Sequence, residues 1–407
     1  MTDLSTTMPA GFLWGASTAA HQIEGGNHNS DWWEMEQHVL AEGGGPIQES
    51  SGDACDSFHR WPEDMDLLAQ LGFTDYRFSI EWARIEPAPG EISHAAIDHY
   101  RRMVEGAHER GLRPLVTLHH FTAPRWFAHR GSWYAEDAAD RFARYVEAAA
   151  PVYADGVDHV CTINEPNMVA LFPALVEMLT GDGGATEQLA NHGLPEPDAK
   201  LTESMIRAHR RAAEAVKSRA PHVRTGWSVA VQAVQAIEGA EQAAKAYGRP
   251  RQDVFLEAAH GDDWLGVQTY TRTRIGPDGL APVPDEVERT LTGWEFYPQA
   301  LGETLRHVST VAPDVPLIVT ENGIATDDDT RRVAYTAGAV SGMANAMADG
   351  VDVRGYFHWS ALDNYEWGSF RPTFGLIAVD RTTFARTPRP SAAWLGGGGR
   401  DRRWPTA

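Results

Sequence analysis

Eight short apolar or β-branched segments recur along the chain, and between them apolar residues return with helical spacing, as in residues 62–72 and 95–111. The eight segments are residues 12–17, 75–80, 113–120, 159–164, 224–231, 263–270, 316–321 and 353–360. Strands that alternate with helices indicate βαβ units and a parallel sheet. Because no phosphate-binding glycine motif follows the first unit, the pattern predicts an α/β fold of the (β/α)8 TIM-barrel type rather than a doubly wound sheet.

No linker interrupts this pattern. The chain has no Pro- or Ser-rich stretch and no long low-complexity tract, so residues 1–407 are predicted to form one domain. The only strongly biased run near the carboxyl terminus is GGGGRDRR at residues 396–403. Its glycine content predicts a short flexible tail over about residues 396–407.

Polar side chains gather where the predicted strands end. The pairs and runs concerned are His119-His120, Asn164-Glu165, Gln268 to Tyr270, Glu321-Asn322 and Trp359-Ser360. In a barrel of parallel strands the carboxyl ends share one rim, which is where active sites are assembled. Residues far apart in the sequence are therefore expected to converge on one pocket.

Two carboxylates stand out at this rim, Glu165 in TINEP and Glu321 in IVTENG. A single Glu at a strand end is more often a solvated charge or a salt-bridge partner. A pair of them, each beside an Asn and flanked by aromatic and His side chains, suits glycoside hydrolysis, in which one carboxyl protonates the leaving oxygen and the other attacks or activates water. Carboxyl groups about 5 Å apart give retention and groups roughly 6.5–9.5 Å apart give inversion, so these residues alone leave the stereochemistry open.

Composition and charge narrow the class of partner. The chain carries 35 Lys and Arg against 56 Asp and Glu, a formal net charge of −21. Such an acidic surface repels nucleic acid and anionic lipid, so neither is expected as a partner. With two cysteines, no basic and apolar leader and no membrane-length apolar run, the sequence predicts a cytoplasmic protein without a disulfide framework or a membrane segment. It predicts no particular oligomeric state.

Six motifs in this chain resemble those of glycoside hydrolase family 1, the β-glucosidase and β-galactosidase family. They are FLWGASTAAHQIEGG (12–26), YRFSIEWARIEP (76–87), TLHHFTAPRWF, TINEP, IVTENG and HWSALDNYEWG, in family order. The resemblance implies a retaining β-glycosidase that needs no cofactor or metal and acts on small-molecule or oligosaccharide β-glycosides. It implies Glu165 as acid/base and Glu321 as nucleophile. β-Glucosidase activity is the leading expectation, with β-galactosidase and β-fucosidase activity also open.

The resemblance also assigns the residues around the catalytic pair. It implies Arg77 as the cation and Tyr270 as the hydroxyl donor that support the nucleophile. Trp294 resembles a tryptophan on the leaving-group side. The implied sugar ligands are Gln22, His120, Asn164, Trp359, Glu366 and Trp367. A carboxylate at Glu366 would repel a phosphate group, so non-phosphorylated sugars are expected.

The chain departs from the family pattern in several places, among them the eighth-strand loop, where Thr373 stands in place of the usual Arg. Phe121 and Thr122 stand where Trp and Asp are usual, and Gln268-Thr269 replaces Asn-Tyr. The chain is also shorter than many relatives around residues 167–200, which suggests a more open leaving-group site. These departures affect the expected sugar preference and not the expected reaction.

Three other functions are compatible with parts of the sequence. A sugar-binding protein on the same fold would typically lack one catalytic Glu, and both are present here. A transglycosidase would use the same two carboxylates, so the sequence separates it poorly from a hydrolase. A metal-dependent barrel hydrolase could use His119 and His120, but this pair lacks the spaced His and carboxylate companions of a metal site.

Overall fold

Eight parallel strands close into a barrel in the computed structural model, which describes residues 7–180 and 194–405. The strands are β1 (Leu13–Ser17), β2 (Asp75–Ser79), β3 (Arg113–Thr117), β4 (His159–Asn164), β5 (Arg224–Ala230), β6 (Leu265–Gln268), β7 (Leu317–Asn322) and β8 (Val353–Trp359). Each pairs with its neighbours in chain order, and β8 closes the barrel against β1. The predicted (β/α)8 barrel is confirmed, and each strand lies within or next to the segment predicted for it.

Helices connect the strands and surround the barrel. The longer ones are Asp31–Ala41, Ser57–Leu71, His94–Glu109, Ala138–Ala148, Pro166–Thr180, Ala199–Arg219, Ala300–Val311, Asp329–Ala348 and Pro390–Asp401. Shorter helical segments are Ala20–Ile23, Trp82–Ile85, Arg125–His129, Ser132–Tyr134, Ala150–Tyr153, Glu241–Gly248, Arg249–Asp253 and Val254–Ala258. Within the described ranges, none of these helices combines the length and the apolar character needed to cross a bilayer.

The barrel buries two separate sets of apolar side chains. On β3, Val116 joins the large cluster that packs between the sheet and the helices, whereas its neighbour Leu115 belongs to a small second cluster. On β8 the same alternation separates Tyr356 from Phe357. Successive side chains of a strand point to opposite faces, so the small cluster fills the interior of the barrel. It consists of Leu13, Leu115, Cys161, Trp264, Ile318 and Phe357.

Two small sheets outside the barrel were not predicted. One contains Ala233–Ala236, Arg272–Gly276 and Gly279–Leu280, and the other pairs Ile377–Val379 with Arg386–Pro388. The first two segments follow β5 and β6 along the chain and pair in parallel, so they continue the wall of the barrel beyond its rim. Their strands of two to five residues are too short for an alternating pattern to separate them from loops.

The predicted flexible tail from about residue 396 is wrong, because Pro390–Asp401 is a helix. Its glycines allow close contact with the rest of the protein. A Cβ atom on Gly396 would lie 2.5 Å from the carbonyl oxygen of Leu71, and one on Gly399 would lie 2.6 Å from that of Gly72. Beyond the helix, the ring of Trp404 packs edge-on against Phe12 at 5.2 Å. Residues 406–407 of the predicted tail lie outside the described residues.

We expect Gly397 and Gly399 of this helix to respond oppositely to alanine. A Cβ atom on Gly399 would meet backbone at 2.6 Å, so Gly399→Ala should lower the free energy of unfolding by about 1–3 kcal/mol. Gly397 has no heavy atom within 4 Å of such a Cβ, and Gly397→Ala should raise stability by roughly 0.5–1 kcal/mol through helix propensity. Urea denaturation of the two variants measures this. Equal effects of the two substitutions would contradict the close packing.

Candidate active site

Glu321 lies at the carboxyl end of β7 and is held by two donors from other strands. The Arg77 guanidinium on β2 donates through Nη1 to Oε1 of Glu321 at 2.6 Å. The Tyr270 hydroxyl, two residues past β6, donates to Oε2 at 2.7 Å. Arg77 is fully buried and the Glu321 side chain is 5% exposed, so this ion pair is shielded from water. Both oxygens of the carboxylate are therefore paired.

Asn164 and Glu165 stand side by side where β4 meets the helix Pro166–Thr180. Asn164 is buried, and its Oδ1 accepts from Nη2 of Arg77, so Arg77 joins this residue to Glu321. Glu165 is half-buried and has a φ of +46°, in the left-handed region that non-glycine residues rarely adopt. Its backbone N–H donates to the carbonyl oxygen of Ser228 at 2.7 Å, which fixes the turn. Uncommon backbone conformations of this kind are concentrated at functional sites.

The surroundings of the two carboxylates differ in a way that separates their protonation. Burial, and then the negative charge of Glu321, raise the pKa of Glu165 well above its usual range. Burial also raises the pKa of Glu321, but the Arg77 charge and the Tyr270 hydrogen bond act against that shift. These surroundings favour the proton on Glu165 and the negative charge on Glu321.

A second polar group follows β8 and β1, the strands that pair with those carrying Glu321 and Arg77. Trp359, the last residue of β8, donates through its indole nitrogen to Oε1 of Glu366 at 3.1 Å. Gln22, in the short helix after β1, approaches Oε2 of Glu366 with Nε2 at 3.4 Å. Burial raises the pKa of Glu366 to about 8, with Glu321 adding to the shift and these donors opposing it. The Oε1 atom of Gln22 is buried and has no partner among the described residues, so it is available to a ligand.

Aromatic rings form the walls between these groups. The His120 ring lies nearly parallel to Trp359 at a centroid distance of 5.9 Å and to Trp367 at 6.1 Å. Phe121 meets Trp367 edge-on at 4.9 Å. On the other side of the pocket, Trp294 lies 5.6 Å from the Tyr270 ring and is 41% exposed. All the residues expected from the sequence thus lie around one rim, with Trp294 at its outer edge.

Three residues of the site were not assigned a role from the sequence. The His21 ring lies parallel to Trp367 at 5.8 Å, and the Trp32 ring meets Trp367 at 4.6 Å, so both support that wall from behind. Gln268 donates to Asn164 at 2.7 Å. His21 and Trp32 lie in or beside the amino-terminal motif, which was the available signal. Gln268 is predicted to lie at the rim and is a departure from the family pattern, but neither signal indicates its partner.

The paired histidines do not act together. His120 faces the pocket, whereas His119 packs edge-on against Trp133 at 5.1 Å, and burial lowers its pKa to about 3. Across the described residues, no group of three or more His, Cys, Asp and Glu side chains is arranged to hold a metal ion.

Thr122, two residues after His120, donates its hydroxyl to Glu81 and is not part of the pocket wall. Part of the segment around 167–200, on which the open leaving-group site depends, lies outside the described residues.

Comparisons with known proteins agree with this fold. The model of glycosyl hydrolase family 1 matches residues 4–262 and 263–397. A thermostable β-glucosidase B from Thermobispora bispora is 33% identical, over 96% of this chain and 90% of that protein. A bifunctional β-D-glucosidase/β-D-fucosidase from Bifidobacterium breve is 29% identical, over 96% and 98% respectively. The crystal structure of the β-glycosidase BGL167 superposes with a TM-score of 0.87 at 45% identity, covering 97% of each chain.

The hydrogen bond from Tyr270 generates a prediction on the pKa of Glu321. The hydroxyl stabilises the ionised carboxylate, so Tyr270→Phe should raise that pKa. The ionised form should then appear only at higher pH, which carboxyl ¹³C NMR of labelled glutamate can follow. Tyr153→Phe is the matched control, since the Tyr153 hydroxyl is also buried but donates to the carbonyl of Val146. An unchanged titration in Tyr270→Phe would contradict the role of the hydroxyl.

Proposed function

Because the chain belongs to glycosyl hydrolase family 1 and is a β-glycosidase, we propose that it hydrolyses β-glycosides with retention by double displacement. Glu321 is the nucleophile and Glu165 is the acid/base. The observation that carries this assignment is the asymmetry of the two carboxylates. Glu321 has a buried cation and a hydroxyl donor, whereas burial and then the charge of Glu321 raise the pKa of Glu165 and favour its protonated form.

The first step forms a covalent sugar–enzyme ester. A carboxylate oxygen of Glu321 attacks the anomeric carbon while the bond from that carbon to the leaving oxygen breaks. Glu165 transfers its proton to the leaving oxygen, so the aglycone departs as a neutral alcohol or phenol. The Arg77 guanidinium and the Tyr270 hydroxyl hold Glu321 ionised and oriented before the attack.

In the second step Glu165 acts as a base and water is the nucleophile. Once Glu321 is esterified its negative charge is gone, and with it one of the two main influences that raise the pKa of Glu165. Glu165, now ionised, takes a proton from a water molecule that attacks the anomeric carbon. The ester bond breaks and Glu321 leaves as a carboxylate, which restores the starting charges. Two inversions at one carbon give net retention.

The sugar pocket is proposed to bind a non-phosphorylated glycone, with β-glucosides first and β-fucosides or β-galactosides as further substrates. Trp359 provides the stacking floor and Trp294 contacts the leaving group. The hydroxyl ligands are Gln22, His120, Asn164, Glu366 and Trp367. Glu366 is half-buried and hydrogen-bonded to Trp359, and an acidic side chain there, in place of a cation, disfavours a sugar phosphate. Relatives named as a β-glucosidase and as a β-D-glucosidase/β-D-fucosidase support the β-glucosides and β-fucosides of this range.

We further propose that the enzyme works in the cytoplasm. Both cysteines, Cys55 and Cys161, are buried free thiols, as suits a reducing compartment. Fractionation of the native host, with glycosidase activity measured in each fraction, tests the location. Activity confined to the medium or the envelope would contradict it.

A panel of p-nitrophenyl β-glycosides tests the reaction and the glycone. We expect turnover of the glucoside and of one or both of the fucoside and galactoside, and none of the 6-phosphoglucoside. Glu321→Gln should abolish turnover of all of them, because the amide cannot attack the anomeric carbon. Glu303→Gln is the control, since Glu303 lies outside the pocket and binds Tyr297 and Gln235. No turnover of any sugar by folded wild type would instead favour a sugar-binding protein.

Leaving groups of different acidity test Glu165. Glu165→Gln should lower kcat/KM by about 10²–10⁴-fold for a phenyl glycoside, whose oxygen needs a proton to leave. With a 2,4-dinitrophenyl glycoside the same variant should keep kcat/KM within about tenfold of wild type, because little protonation is required. Steady-state rates with both substrates measure this. A loss of equal size for both leaving groups would rule out Glu165 as the general acid.

A further inference from the structure

Gln268 ends strand β6 beside the proposed catalytic pair. It is 1% exposed and lies next to Glu321 in the register between β6 and β7. Its Nε2 atom passes β5 and donates to Oδ1 of Asn164 on β4 at 2.7 Å. Alternate strands of such a barrel contribute side chains to the same interior layer. This hydrogen bond therefore connects two strands that do not pair with each other.

The Asn164 amide is fixed in one orientation by two donors. Its Oδ1 accepts from Gln268 and from Nη2 of Arg77, so both lone pairs of the oxygen are used. Its Nδ2 lies 3.2 Å from Nε2 of His120. A flipped amide would turn its own N–H groups towards two N–H donors. The second N–H of Nδ2 is left for a ligand.

Arg77 and Gln268, the two donors to Oδ1 of Asn164, differ in their other hydrogen bonds. Arg77 also binds Glu321, whose charge disappears when the proposed sugar ester forms, so the demands on Arg77 change during the reaction. The Gln268 side chain is neutral, and among the described residues its amide nitrogen donates to Asn164 alone. Its Oε1 is buried without a partner in the described chain, which is unfavourable for a residue that serves packing alone.

We propose that Gln268 is a positioning residue, which holds the Asn164 amide so that its free N–H faces the 2-hydroxyl of the bound sugar. This rests on the proposed function, in which Asn164 is a sugar ligand. Hydrogen bonds to the 2-hydroxyl strengthen in the transition state of glycoside hydrolysis. Loss of the orientation should therefore lower kcat more than it raises KM.

Paired substrates with and without the 2-hydroxyl test the proposal. We would measure kcat/KM for the p-nitrophenyl β-glycoside of the preferred sugar and for its 2-deoxy analogue. Gln268→Met keeps the length of the side chain but removes the donor. It should lower kcat/KM by about tenfold for the parent substrate and by less than about twofold for the 2-deoxy substrate. In Asn164→Ala protein the same substitution should cause no further selective loss.

Thr269→Val is the matched control. Thr269 is the next residue and is equally buried, but its hydroxyl binds the Val231 carbonyl and Thr304, away from the pocket. This variant should leave the ratio of the two substrates unchanged. Gln268→Leu replaces Gln268→Met if thermal unfolding shows that the latter is not folded.

The possible results distinguish failure of the proposed role of Gln268 from failure of the proposed function. An equal fall for both substrates, no fall at all, or a loss that adds fully to that of Asn164→Ala would overturn the role of Gln268. A wild type that hydrolyses both substrates equally well would do the same, because Asn164 would then have no 2-hydroxyl contact to position. Turnover that persists in Glu321→Gln would instead overturn the proposed function.

Discussion

The buried guanidinium of Arg77 is the group around which the pocket is organised. It carries a full charge inside the barrel and binds Glu321 through Nη1 and Asn164 through Nη2. A charge removed from water needs an opposite charge beside it, and removing one partner of such a pair costs about 3–5 kcal/mol. The strands β2, β4 and β7 must therefore place Arg77, Asn164 and Glu321 within hydrogen-bonding distance of one another. This requirement limits the positions of the other side chains in the pocket.

The strands could be predicted because each is a short apolar run bounded by polar residues, and eight such runs leave few ways to bury them. The ends were less certain. The segment 113–120 was predicted as one strand, yet β3 stops at Thr117 and His119 and His120 belong to the rim. The glycines at 396–399 predict a flexible tail, but they lie in a packed helix. A glycine provides flexibility in a linker and close contact in a packed helix, and only the neighbours at Leu71 and Gly72 distinguish the two.

The site was predicted as a set of residues, but its geometry depends on features that motifs do not encode. Three of its residues have left-handed backbone, with φ of +46° at Glu165, +67° at Phe121 and +52° at Trp367. Nothing in their side chains predicts such values, because the conformation is imposed by the surrounding contacts. The partners of Arg77 and the reach of Gln268 across β5 likewise depend on strand register. Tertiary contacts and strand register, which no motif encodes, determine these features.

The same electrostatic asymmetry accounts for both halves of the proposed reaction. While Glu321 is ionised, its charge and the loss of water around the site keep the proton on Glu165, as an acid requires. Esterification of Glu321 removes that charge but leaves Arg77 in place, so the site becomes more positive. Glu165 then loses its proton more easily, as a base requires. No third titratable group is needed for this change, since the covalent bond to Glu321 itself alters the charge next to Glu165. Because the pocket holds Glu321, Arg77 and Glu165 in fixed positions, formation of the ester determines when Glu165 loses its proton.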